Sequence, residues 1–179
     1  MASKNKFNAV ILLLVLVTIS LIISCSTTNP PADTSSTAPG LTVSTMTTTS
    51  KGKYAPKNIV AIWVETSSGV FVKTLLLNGK QIQSHLTKWT TSTKGNTTNA
   101  TTGATRSSHG IVTANWNGTD ISGKIVTNGD YKLCMELTEN ASSGSYTSFT
   151  FTKGAAEQVQ TPAAVTNFAS IGLKWMPIQ

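Results

Sequence analysis

The side chains able to do chemistry in this chain are few and lie far apart. There are two histidines, His85 and His109, two cysteines, Cys25 and Cys134, and seven acidic residues. No cluster of His, Cys and acids has the short spacings that hold a metal ion. No serine sits in a Gly-x-Ser-x-Gly turn, the strained turn that presents a nucleophile. Glu136 and Glu139 are close in sequence. Glu136, however, falls in a strand-like run and is expected to point to solvent, which leaves acid–base pairing unsupported. The residues thus predict a protein that is not an enzyme and needs neither metal nor cofactor. Two places stand out instead. One is the thiol of Cys25, directly behind an apolar run. The other is Asn99-Ala-Thr-Thr-Gly-Ala-Thr105, where small residues leave hydroxyls accessible.

The N-terminus explains the first. Lys4 and Lys6 are followed by an uncharged apolar run from Val10 to Ser24. The run falls short of the roughly 20 apolar residues that span a bilayer comfortably, and no basic stop follows it, so it reads as a cleaved export signal. Its end, Ile22-Ile23-Ser24-Cys25, resembles the lipobox of bacterial lipoproteins. The resemblance implies that residues 1–24 are removed and that Cys25 carries lipid. A single acyl chain binds membranes only marginally, at about 0.8 kcal/mol per buried methylene, whereas several chains on one cysteine anchor stably. Ser26, in place of Asp, implies outer-membrane sorting. The absence of an acidic run in residues 26–39 favours the periplasmic side.

The mature chain from Cys25 suits one domain and a tether. Removing Lys4 and Lys6 leaves 12 basic against 7 acidic residues. Lys51, Lys53 and Lys57 form the only cluster, and no aromatics are interleaved with a basic patch, so nucleic acid is excluded as a partner. Residues 25–39, rich in Ser, Thr and Pro, read as a flexible tether. Residues 40–179 read as one β domain. Leu41–Met46 alternates with period two, and Asn58–Glu65 and Val70–Leu77 are joined by a Ser-Ser-Gly turn. Ile111–Trp116, Tyr131–Leu137, Tyr146–Thr152 and Phe168–Trp175 add four strands. Residues 80–89 predict a short helix with Ile82, Leu86 and Trp89 on one face. Thr90–Ser108 predicts a long polar loop, the length of which marks it as functional. Residues 154–167 predict irregular chain. Seven short strands with Gly, Asn and Ser punctuation predict an all-β, antiparallel β-sandwich, with a small up-and-down barrel as the alternative. Trp63, Trp116 and Trp175 are the expected core, and Cys134 is expected to be a small buried hydrophobe.

Three resemblances add to this. The segment Ala114-Asn-Trp-Asn-Gly-Thr-Asp-Ile-Ser-Gly through Asn128-Gly-Asp-Tyr131 resembles the immunoglobulin-like domain of flagellar hook-capping proteins. It implies an immunoglobulin-like sandwich and, more weakly, a hook-cap-like assembly factor. Five blocks in order resemble the predicted periplasmic family called domain of unknown function 2271. They are Ile59–Glu65, Gly69–Leu75, Leu86–Trp89, Thr102–Thr105 and Trp116–Tyr131. That family implies an envelope location and a redox context, because its members accompany flavin transferases and redox membrane proteins. Finally, Asn99 to Thr105 resembles the acceptor motif for covalent flavin mononucleotide, Asp-x-x-Ser/Thr-Gly-Ala-Thr. The motif implies that Thr105 takes the phosphate ester, that Thr102, Gly103 and Ala104 form the approach, and that Asn99 stands where the motif has Asp. The sequence thus predicts a lipid-anchored envelope domain that binds or scaffolds an envelope protein or a glycan. A covalent flavin carrier modified at Thr105 is the alternative.

Overall fold

The computed structural model describes residues 38–178; the export signal, Cys25 and nearly all of the tether lie outside the described residues. Among the described residues, nine strands form two sheets. In chain order they are β1 (Gly40–Thr47), β2 (Ile59–Thr66), β3 (Phe71–Asn78), β4 (Thr101–Gly103), β5 (Ile111–Trp116), β6 (Gly129–Thr138), β7 (Ser145–Lys153), β8 (Gln158–Gln160) and β9 (Phe168–Met176). One sheet has the order β5-β1-β9-β8 and the other β4-β3-β2-β6-β7. All pairings are antiparallel except β3 with β4. The chain is therefore an all-β sandwich.

The apolar pattern of each strand follows from what covers it. β5 is an edge strand with one wet face, and its burial alternates strictly. β2 is central and buried almost throughout. Its Val60, Ile62 and Val64 face the other sheet, joining Leu41, Val43, Trp116, Leu133, Phe151 and Trp175 in the main core. Its Ile59, Ala61 and Trp63 face the other way, into a second cluster with Leu77, Leu86, Trp89 and Cys134. That cluster exists because two short helices lie over the outer face: a 3-10 helix, Lys80–His85, and α1, Thr87–Thr93. A strand covered on both sides reads as a continuous apolar run instead of an alternating one.

The core tryptophans behave as the sequence predicts, and Trp116 sits among Tyr131, Phe151 and Trp175 with ring centroids 5.3–6.1 Å away. Its indole N–H donates to the Thr119 carbonyl at 2.8 Å, which satisfies the one polar atom this side chain buries. Cys134 is buried and free, and burial pushes its thiol up to about 12.

Four expectations need correction. The polar loop 90–108 is not one loop: its start completes α1, and Thr101–Gly103 forms β4, the parallel edge strand beside Leu76–Asn78. Their Thr-rich composition hid both, because neither element is apolar enough to read. The predicted helix 80–89 is broken in two, and Ile82 is exposed while Leu86 and Trp89 are buried. Residues 154–167 contain β8, paired to β9. Glu136 does not point to solvent. It lies on the outer face of β6, which α1 covers, and it is fully buried. Its carboxylate accepts the backbone N–H groups of Trp89 at 2.8 Å and Lys88 at 3.2 Å. Those are N–H groups that the first turn of a helix leaves without partners. Burial holds the Glu136 carboxyl above the ordinary range, and the N–H groups of Trp89, Lys88 and Thr87 oppose that only in part.

Candidate functional site

The segment singled out by its hydroxyls runs along the free edge of the five-stranded sheet. Ala100 leads into β4, which hydrogen-bonds to β3 on one side only. Thr102, Gly103, Ala104 and Thr105 line one surface trough of about 430 Å³ together with Lys80 and Gln81. Thr102, Ala104 and Thr105 are exposed there. A Cβ at Gly103 would come within 2.5 Å of Asn78 Nδ2, the end of a side chain that would have to move aside. The structure thus brings four of the five predicted residues together. It separates the fifth. Asn99, with a left-handed φ of 57°, lines a different cleft at the start of the segment.

Thr105 also lines a second depression, a cleft of about 300 Å³. Its walls include Ile59, Ile82, Tyr54 and Ala141, and Lys57 and His85 bring basic side chains. A volume of this order is at the small end of ligand sites, and mostly apolar walls with a few polar groups are what such sites have. Tyr54 and Ile82 are large apolar side chains left exposed at its rim.

One wall of this cleft is fixed by Glu139, which sequence reasoning weighed only as a partner for Glu136. Glu139 follows β6, and its side chain is fully buried. It accepts hydrogen bonds from Thr49 Oγ1 at 2.8 Å, from the Ser50 N–H at 2.8 Å and hydroxyl at 3.0 Å, and from the Gly52 N–H at 3.1 Å. His109 Nε2 lies 2.7 Å from its Oε1. Burial alone would push this carboxyl up. The converging donors from Gly52, Thr49, His109 and Ser50 outweigh it and hold the group at about 2. Gly52 has no room for a side chain, since a Cβ would meet the Glu139 Cβ at 2.5 Å. The consequence is mechanical. Glu139 ties down the strap of residues 48–57 that carries Tyr54 and Lys57 into the cleft. His109 was legible only as a lone histidine, and a single acid behind a strand gave no sign of the five donors that converge on it.

Among the described residues, no group of three or more His, Cys, Asp or Glu could hold a metal ion. None of their helices is long and apolar enough to cross a membrane. The family model described as predicted periplasmic protein, domain of unknown function 2271, matches residues 40–167. The chain belongs to that family. The match runs from the first residue of β1 to the residue before β9, so it takes in both clefts beside Thr105 and all of the Glu139 strap. No curated protein and no solved structure matches the chain.

Proposed function

We propose that this member of the domain of unknown function 2271 family is a lipid-anchored envelope domain that acts by binding, and that its working face is the end of the sandwich around Thr105. The observation that carries this reading is the apolar cleft beside Thr105, walled by Tyr54, Ile59, Ile82 and Ala141 and held in shape by Glu139. Exposed apolar side chains gathered at a concave site are a binding feature, whereas scattered ones need no explanation. Lys57 and His85 at the cleft suit a ligand or partner group that is apolar with a polar or acidic edge. Ala141 is exposed and lines the cleft, so Ala141→Trp fills it without touching the core. The variant should keep the wild-type melting temperature and lose the envelope partner that co-purifies with the wild-type protein from its own membranes. Unchanged co-purification would refute a role for the cleft.

A second reading, a covalent flavin carrier in extracytoplasmic electron transfer, is favoured by a separate observation: Thr102 to Thr105 share one trough with Lys80. An exposed Thr105 hydroxyl suits the phosphate ester of flavin mononucleotide, Gly103 keeps the approach open, and the Lys80 ammonium can neutralise the phosphate. The flavin itself would supply the redox chemistry. This chain's residues would hold and orient it. Asn99 lies away from the trough, so its difference from the motif's Asp bears on recognition by a transferase and not on the ester. With flavin adenine dinucleotide as donor, a co-expressed flavin transferase would join the flavin-side phosphorus to Thr105 Oγ as the P–O–P bond breaks, AMP leaves and the hydroxyl proton is released; the full chain should then carry one flavin mononucleotidyl group by intact mass and fluoresce in a denaturing gel. Thr105→Ala should abolish both signals, and Thr101→Ala should keep them. Absence of the adduct from both the wild type and Asn99→Asp refutes this reading and leaves the first intact.

A further inference from the structure

A second cleft, lined by Asn99 and Thr101 where Thr105 lines the first, holds a buried ammonium that has no counter-ion among the described residues. Lys73 is in β3 opposite Val64, a residue of the main core, so its side chain points between the two sheets. It is 8% exposed. Its Nζ donates to Thr119 Oγ1 at 2.9 Å, and the Thr119 hydroxyl in turn donates to Asn117 Oδ1 at 2.7 Å. That accounts for one of the three donors an ammonium carries. The ion pairs among the described residues are His109–Glu139 and Lys174–Glu157, and Lys73 is in neither. Taking an ammonium out of water with a single neutral acceptor in return is costly. A charge kept at such a cost is what an anion-binding site requires.

The remainder of the cleft narrows the ligand. It measures about 420 Å³, and Asn99, Thr101, Asn115 and Asn117 are exposed along it. Each Asn amide offers two donors and an acceptor, a match for neighbouring hydroxyls. One ammonium balances the single charge of a carboxylate, whereas a phosphate monoester would bring further uncompensated charge into the cleft. Lys153 provides the contrast. It too is buried, but its Nζ donates to Asn128 Oδ1 at 2.7 Å and lies 5.7 Å from the Trp175 ring, so its ammonium is taken up within the fold. We propose that the Lys73 cleft binds a sugar acid, with the carboxylate at Lys73 Nζ and the ring hydroxyls on the amides of Asn99 and Asn115. The site is separate from the cleft at Thr105 and does not depend on what that cleft holds.

Equilibrium dialysis of radiolabelled glucuronate against the full chain in detergent tests this. One saturable equivalent is expected, with unlabelled glucose and acetate each competing at least about tenfold more weakly than glucuronate. Lys73→Met keeps the side-chain volume without the charge and should weaken binding about tenfold or more. Asn115→Asp, at an exposed position, removes the amide donors to the ring hydroxyls and puts a charge of the ligand's own sign into the cleft, so it should weaken binding as well, which decides the matter if Lys73→Met fails to fold. No saturable binding, or a folded Lys73→Met that binds normally, overturns the proposal. Glucose competing equally overturns the role of the charge, and acetate competing equally reduces the site to a bare anion hole and overturns the sugar acid.

Discussion

Replacing Glu139 by Gln should loosen the strap that builds the cleft, and the structure sets the size of the effect. The folded protein holds this carboxyl at about 2 against an ordinary value of 4.5. At 1.36 kcal/mol per pK unit that difference is worth about 3 kcal/mol of folding stability. Because the folded value is the lower one, this stability is fully present above the ordinary carboxylate range and is lost as the pH falls from about 5 towards 2. Glutamine has the same shape but a single acceptor oxygen. With that oxygen on the N–H groups of Ser50 and Gly52, its NH₂ faces Thr49 Oγ1 and His109 Nε2, so both of these lose their charged acceptor and all the bonds to Ser50 and Gly52 weaken to neutral ones. Against a total of about 5–15 kcal/mol for a domain, the loss should be plain in urea unfolding at pH 7. Wild type and Glu139→Gln should differ most at neutral pH and converge as the pH approaches 2. Glu136 acts in the opposite sense: its carboxyl is raised, so protonation favours the folded state and cannot produce the acid loss. Hydrogen exchange should locate the damage, with the amides of Ser50 and Gly52 losing protection before those of β2. A Glu139→Gln protein with wild-type stability at pH 7, or with the same loss of stability between pH 5 and 2, would refute this account of the strap.

Trp116→Ala should cost about 3–5 kcal/mol and lower the melting temperature clearly, because it empties the centre of the aromatic cluster; an unchanged melting curve by calorimetry would contradict its place in the core. Cys134 should resist alkylation by iodoacetamide at pH 8 in the folded protein and react once urea unfolds it, since its thiol is buried and pushed up to about 12; rapid labelling of the native protein would refute that. Cys25→Ala should abolish incorporation of labelled fatty acid and release the protein from the detergent-soluble membrane fraction; label retained on the variant would disprove the anchor.

The strands were legible where one physical pattern decided them. β5 faces water on one side and alternates, and β2 and β3 are apolar runs bounded by a Gly turn. What stayed hidden depended on contacts between segments distant in sequence. β4 is three residues of Thr and Gly, and only its pairing with Leu76–Asn78 makes it a strand. Glu136 read as a solvent-facing strand residue because nothing local announces that α1 lies over it. Glu139 and Lys73 were equally silent, since their roles rest on donors and acceptors brought in from residues 49–52 and from Thr119. The hydroxyl-rich segment 99–105 was visible as a candidate from its residue types. Its division between two clefts, with Asn99 in one and Thr105 in the other, follows from the direction of β4 and could not be read from spacing.

The central claim is that the Thr105 end of the sandwich is the working face, and site-specific photocrosslinking in the envelope tests it most directly. A photoreactive phenylalanine analogue at Tyr54, an exposed aromatic on the cleft wall, replaces one ring by another. The same analogue at Val159, exposed on the β8 edge of the other sheet, is the control. Irradiation of intact cells should give a discrete adduct from position 54 and none from position 159, and Ala141→Trp should remove it. No adduct at position 54, or the same adduct from both positions, would contradict the claim.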